Sequence, residues 1–248
     1  MPTLYLLGTG AAVSDAHRTT TMLAVSDGAS TIAVDCGGDV IQRMMAAGID
    51  VDTLDALIVT HEHPDHVSGF PLFMEKIWLL GRRRPIAVYG IREAIDQATR
   101  CFEAFDTSSW SDMPDIHWCE IAHEPGSTVL QDERWRITST PGKHGVPVIA
   151  LRFEHISSER AIAYSCDTEP LASISELAQG TSILVHEATG ESKGHSSAAQ
   201  AAEVARDART GRLLLVHVPA KLNDAELRAA RKIFQRTEIG VEGGRYEY

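Results

Sequence analysis

The hexapeptide His61-Glu62-His63-Pro64-Asp65-His66 sets four potential metal ligands directly after the apolar run Ala56-Leu57-Ile58-Val59-Thr60. Imidazole nitrogens and carboxylate oxygens are the donors that divalent ions such as zinc select. A polar turn that capped a strand and bound nothing would need no such density. The apolar run reads as a buried strand, so the donors fall at a strand's C-terminal end, where α/β proteins gather their sites. His61 and His63 lie two apart and point the same way from an extended backbone. Pro64 then bends the chain, and Asp65 and His66 approach from another side. That geometry suits two adjacent metal ions better than one.

Two ions need more donors, and three polar residues stand at the ends of other strand-like runs. His144 lies in the turn Thr140-Pro141-Gly142-Lys143-His144-Gly145, Asp167 follows Tyr164-Ser165-Cys166, and His217 caps Leu213-Leu214-Leu215-Val216. Any one alone reads as a satisfied structural group; beside the first cluster the three read as the rest of a metal set. An aspartate between two cations is sensible, because each oxygen can take one ion and the charge offsets their repulsion. Glu187 and His195 are candidates of another kind. His195 precedes a helix start at Ser196-Ser197, where the dipole disfavours an extra proton. A carboxylate partner counters this and supports the protonated ring, making the pair a proton donor to a leaving oxygen. The plainer reading is that His195 only caps its helix. His17, His117, His123 and His155 lie in turn-like or polar surroundings and read as surface residues, and His186 ends a strand.

These side chains must be carried by a strand-rich scaffold. Short β-rich runs are expected at Leu4 to Leu7, Thr20 to Val25 and Thr31 to Val34, the last two as a hairpin around Ser26-Asp27-Gly28. Asp39 caps a helix to about Ala47, and another helix is expected from Ser68 to Leu80. A strand at Ile86 to Tyr89 and an amphipathic helix at Ile91 to Phe102 follow. Asp106 to Asp115 reads as a loop whose Trp110 lines a pocket, anchors packing, or serves a dimer or a lid. The second half repeats the theme, with strands at Asp115 to Ile121, Trp135 to Thr140, Val146 to Phe153, Ala161 to Tyr164, Ser182 to Val185 and Leu213 to Val216. Helices are expected at Leu171 to Ala178, at Ser197 to Asp207 (Ser197 and Gln200 forming a capping box) and at Asp224 to Phe234. Strands first, then strand–helix alternation, in each half, predict two sheets packed face to face with helices outside. No linker or boundary divides residues 1–248, which are read as one domain.

The bulk numbers narrow the function. No stretch of the 248 residues approaches the roughly 20 apolar positions of a membrane span, and the N-terminus lacks a basic, then apolar leader. The four scattered cysteines form no CxxC pair and read as reduced thiols in a cytoplasmic protein. Net charge is −11, so a long nucleic acid would need a local basic patch. Arg82-Arg83-Arg84 is the sole basic run and reads as a solvated helix end. Gly8-Thr9-Gly10 is a turn, not a phosphate cradle.

The hexapeptide followed by His144, Asp167 and His217 resembles, in order, the ligand set of the metallo-β-lactamase fold, an αββα four-layer α+β sandwich of two facing mixed sheets. The likeness extends to the ribonuclease Z-like branch. Leu7-Gly8-Thr9-Gly10 with Arg18, Asp35-Cys36-Gly37-Gly38 with Gln42 and Arg43, His186-Glu187-Ala188-Thr189 and Gly194-His195-Ser196-Ser197 are similar to that branch's motifs, across essentially the whole chain. The resemblance implies that His61, His63 and His144 hold one metal and Asp65, His66 and His217 the other, with Asp167 bridging. It implies zinc, with manganese or iron as substitutes, hydrolysis of phosphodiesters by a metal-bridging hydroxide, and Glu187 with His195 as the catalytic pair, Asp65 orienting the nucleophile. One departure matters. The tRNA-gripping arm that follows the third histidine region in ribonuclease Z is absent, since only Glu154 to Arg160 separates two strands here.

The expected activity is therefore a dinuclear phosphodiesterase acting on a small or short phosphodiester, tRNA being argued against by the missing arm. No membrane partner is expected, and a homodimer is allowed for. The alternative is hydrolysis of an ester, thioester or lactam in the same centre, which the Glu187–His195 pair suits less well. The complete ligand set argues against a non-catalytic metal-stabilised binding protein, because a lapsed site would have lost a ligand.

Overall fold

The computed structural model describes residues 1–13, 15–220 and 224–248. Two seven-stranded mixed sheets organise them, each half antiparallel and half parallel. The first sheet runs β14 (Arg245–Glu247), β1 (Thr3–Gly8), β2 (Met22–Ser26), β3 (Thr31–Val34), β4 (Leu54–Val59), β5 (Ile86–Gly90), β6 (Ile116–Glu120). The second runs β13 (Thr237–Ile239), β12 (Leu213–Val216), β11 (Ile183–Glu187), β10 (Arg160–Tyr164), β9 (Ile149–His155), β8 (Trp135–Pro141), β7 (Ser127–Gln131). Helices α1 (Val40–Ala46), α2 (Pro64–Val67), α3 (Phe70–Leu79) and α4 (Arg92–Glu103) come from the first half, and α5 (Ala172–Leu177), α6 (Ala198–Asp207) and α7 (Asp224–Ile233) from the second.

Period-two alternation assigns each face. In β11, Ile183 and Val185 enter the apolar cluster shared by both sheets, while Leu184, and Ala188 just after the strand, pack with α6. The helix side of the second sheet is alanine-rich (Ala198, Ala201, Ala202, Ala205), which lets α6 approach the strands closely. Leu213–Val216 is buried at every position, as a parallel strand covered on both faces must be. The layered αββα arrangement matches the sequence reading, as do the Asp39 cap and the Ser197–Gln200 capping box.

Several expectations need correction. The helix foreseen over Ser68 to Leu80 is α3, which starts at Phe70 after Gly69, where a Cβ would meet Cys36 O and Gly38 O at 2.4 Å; the short α2 before it was not foreseen. Strands β7, β13 and β14 were not foreseen, being short and poor in apolar alternation. His155 is no surface residue: it is buried, edge-on to Trp135, with Nδ1 2.9 Å from Ser158 Oγ. The arginine run is more than a solvated helix end, because Arg82 and Arg84 both donate to Leu54 O and so clamp the start of β4. Trp110 acts as a packing anchor, stacked on Trp78 with centroids 4.9 Å apart. No helix among the described residues is long and apolar enough to cross a membrane, and all four cysteines are free.

Candidate metal centre

All seven residues read from the sequence as ligands meet at one edge of the sandwich, where strands of both sheets end. Residues 61–66 leave β4, His144 follows β8, Asp167 follows β10 and His217 follows β12. The turn carrying residues 63–66 lies against the Asp35-Cys36-Gly37-Gly38 loop, with Cys36 N–H donating to His66 O at 2.8 Å. Glycine is obligatory there, because a Cβ on Gly37 would sit 1.8 Å from Asp65 O. Three non-glycine residues adopt left-handed backbone around the cluster: Asp35 (φ 61°), Cys166 (φ 50°) and His217 (φ 49°). Such conformations persist only where the surroundings overdetermine them, and they collect at functional sites.

The donors form two trios. His63 Nδ1 lies 3.2 Å from His61 Nε2 and 3.0 Å from His144 Nε2. Asp65 Oδ2 lies 3.2 Å from His217 Nε2 and 3.5 Å from His66 Nε2. Asp167 Oδ2 stands between them, 3.4 Å from His217 Nε2, 3.7 Å from His66 Nε2 and 3.9 Å from His144 Nε2.

Neighbouring groups fix the tautomers. His144 Nδ1 faces Gly194 O at 2.8 Å; a carbonyl only accepts, so the proton is on Nδ1 and the Nε2 lone pair points inward. Thr189 Oγ1 gives its hydrogen to His217 O and therefore accepts from His217 Nδ1 at 2.7 Å. Asp35, buried and accepting from Thr60 N–H and Oγ1–H, also accepts from His66 Nδ1 at 2.8 Å. With its hydrogen given to Asp35, Thr60 Oγ1 accepts from His61 Nδ1 at 3.1 Å. Four imidazoles are thus oriented with one nitrogen satisfied and the other aimed into the cluster, as metal-binding histidines are held.

Two buried atoms in the cluster, His66 Nε2 and Asp167 Oδ1, have no hydrogen-bond partner. Orphaned polar atoms among converging lone pairs fit a cation, and the nitrogen and carboxylate donors fit zinc chemistry. Burial raises the cost of charge on Asp65, but His217 and His66 outweigh it and hold the carboxyl far below its usual range. For Asp167 burial is likewise overcome by His217 and His66. Burial and then His66 push His61 well down. His66 goes the other way: burial opposes its charge, yet Asp35 and Asp167 hold it well above the ordinary histidine range. The same negative charge that keeps a proton there would hold a metal in its place.

Glu187 and His195 are adjacent, with Nδ1 3.1 Å from Oε1. Glu187 is fully buried and also accepts from Ser196 N (2.8 Å), Thr189 N (2.8 Å) and Thr168 N (3.3 Å). These contacts hold it behind the His195 ring. The hydrogen bond from His195 to Glu187 raises the imidazole's pKa against burial. The His195 ring lies 4.8 Å from that of His144 and 5.8 Å from that of His217, so it stands beside both trios. Thr60 has no assigned role in the sequence, and Asp35, Thr189 and Gly194 appear there only within motifs.

A family model described as a beta-lactamase superfamily domain matches residues 30–218. A ribonuclease Z from Mycobacterium sp. (strain KMS) is 30% identical over 279 residues, covering 98% of this chain and 94% of that protein. A ribonuclease Z from Methanothermobacter thermautotrophicus is 29% identical over 289 residues, covering 94% and 92%. The metallo-beta-lactamase fold protein YhfI from Bacillus subtilis has a similar structure, with a TM-score of 0.82, 22% identity and full coverage of both chains. The chain therefore belongs to the beta-lactamase superfamily, in its ribonuclease Z-like branch, and is a metal-dependent hydrolase.

Proposed function

We propose that this chain is a dinuclear zinc phosphodiesterase that hydrolyses small or short phosphodiesters. One observation carries the reading: two donor trios share the Asp167 carboxylate, and a carboxylate-held imidazole stands beside both. His61, His63 and His144 would hold one ion and Asp65, His66 and His217 the other, with Asp167 between. Zinc bound there would bring the acidity of a water towards neutrality and offset charge building on the phosphoryl oxygens. Asp65 orients the attacking water. Glu187, which accepts from His195 Nδ1–H, favours the protonated ring and so a proton on Nε2 for the leaving oxygen. Attack at phosphorus breaks the bond to the leaving oxygen, His195 gives that oxygen its proton, and a phosphomonoester and an alcohol result.

The ribonuclease Z relatives point to phosphodiesters, and two features point to short ones. Strands β9 and β10 pair from His155–Arg160 onward, leaving Ile156 to Glu159 as their whole connection, with no room for a gripping arm. The net charge of −11 repels a long polyanion. Metal analysis should give about two zinc ions per chain, and chelation should abolish turnover of bis(nitrophenyl) phosphate. One ion per chain, activity that survives chelation, or preferential cleavage of precursor tRNA would each sink the reading. His195→Ala should keep its metal and lose about 100-fold or more on alkyl diesters but far less on nitrophenyl ones.

A further inference from the structure

We propose that Glu169 is a positioning residue which, through Gly194, sets both the orientation of the His144 ring and the place of His195. The catalytic half of this inference rests on the function proposed above. Glu169 sits on the segment after β10 and touches two other loops. Its Oε1 accepts from Gly194 N–H at 3.1 Å, its Oε2 pairs with Lys143 Nζ at 2.6 Å, and its own N–H donates to Lys143 O at 2.9 Å. One side chain thereby ties the loop carrying His144 to the loop carrying His195.

Gly194 is the junction. Its N–H is held by Glu169 and its carbonyl accepts from His144 Nδ1, the contact that aims His144 Nε2 into the cluster. The residue has φ +84°, and a Cβ there would lie 2.8 Å from His144 Nδ1, so no side chain can anchor this point by packing. Glu191, Ser192 and Lys193 before it are exposed. The path of the loop is therefore set by polar contacts, and Glu169 makes the one that reaches Gly194 N–H. Lys143, 62% exposed, contributes charge to Glu169 through Nζ. When the Glu169 contact is lost, Gly194 O moves from His144 and the adjoining His195 moves with it.

The test uses zinc-loaded protein and two measurements. The first is the rate at which a chelating dye removes zinc; the second is the ratio of kcat on an alkyl and a nitrophenyl diester. Glu169→Met should release one ion about tenfold faster, within the roughly 10- to 100-fold range for loss of a group that orients a metal ligand. Its kcat ratio should fall against the alkyl substrate. Glu169→Gln, which keeps an oxygen for Gly194 N–H, should recover most of both losses, and Lys143→Met should show a smaller defect than Glu169→Met. Wild-type zinc release and an unchanged ratio in Glu169→Met would overturn the proposal, as would a Glu169→Gln protein as defective as Glu169→Met. If the wild-type protein turns over neither diester, the proposed activity falls and the zinc-release comparison alone decides the role of Glu169.

Discussion

Replacing Asp35 should damage the protein even before any metal is added. Asp35 is fully buried at the end of β3, where its carboxylate accepts from Thr60 N–H at 2.8 Å, Thr60 Oγ1–H at 2.9 Å and His66 Nδ1–H at 2.8 Å. In Asp35→Ala the threonine hydroxyl can turn elsewhere, but the amide and the imidazole N–H stay buried without an acceptor. Each stranded donor costs about 1–3 kcal/mol, so the pair costs about 4 kcal/mol. That is a large share of the roughly 5–15 kcal/mol that stabilises a domain. Asp35→Asn keeps an oxygen for one of the two donors and should lose about half as much. Urea unfolding in excess chelator, followed by circular dichroism, separates this effect from metal binding. An Asp35→Ala protein within about 1 kcal/mol of wild type would refute the assignment of these contacts as buried and obligatory.

Other perturbations address the remaining supports. Thr189→Val removes the acceptor for His217 Nδ1 and, under the proposed two-metal reading, should weaken metal binding at the Asp65, His66 and His217 trio about tenfold, read by competition with a chelating dye. Gly37→Ala drives a methyl into Asp65 O and should lower the melting temperature sharply; a mild shift would mean the two loops can separate. Asp27 gives a pH-dependent prediction. Burial raises its pKa, but the amides of Ala29 and Ser30 together with Arg134 bring it below its ordinary value. Its carboxylate therefore contributes stability above the unfolded pKa of about 4, and that contribution is lost as the pH falls through the lower folded pKa. The stability gap between wild type and Asp27→Asn, measured by urea unfolding, should be present at about pH 6 and close below about pH 4. A gap that is constant with pH would exclude this charge as its source.

The layers and the interior strands were legible because continuous apolar runs such as Leu213–Val216 admit little but a covered strand. Edge strands were not, since β7 and β14 carry mostly exposed or half-buried side chains and no apolar signature. The convergence of the seven candidate donors could be read because few residue types ligate metals and these stood at strand ends. Their supports could not. Thr60, Thr189 and Asp35 are residue types found in every turn, and their role depends on partners far along the chain, as with Thr189 and His217, 28 residues apart. A backbone carbonyl such as Gly194 O, 50 residues from the imidazole it orients, leaves no trace in residue type at all. His155 was misread for a related reason, because its burial comes from Trp135 and not from its own polar neighbours.

The spread of the donors along the chain has a consequence for folding. His63 and His144 are 81 residues apart, and Asp65 and His217 are 152 apart. Closing loops of that length costs roughly 4 and 4.5 kcal/mol in chain entropy. An unfolded chain can offer an ion little beyond the hexapeptide itself. The complete centre is therefore a late product of folding, assembled only after both sheets have docked. A metal ion bound there would stabilise the native chain according to its affinity and concentration. Because unfolding must part donors from both sheets, a tightly held ion should act chiefly on how long the native state survives, slowing its loss far more than it speeds its formation.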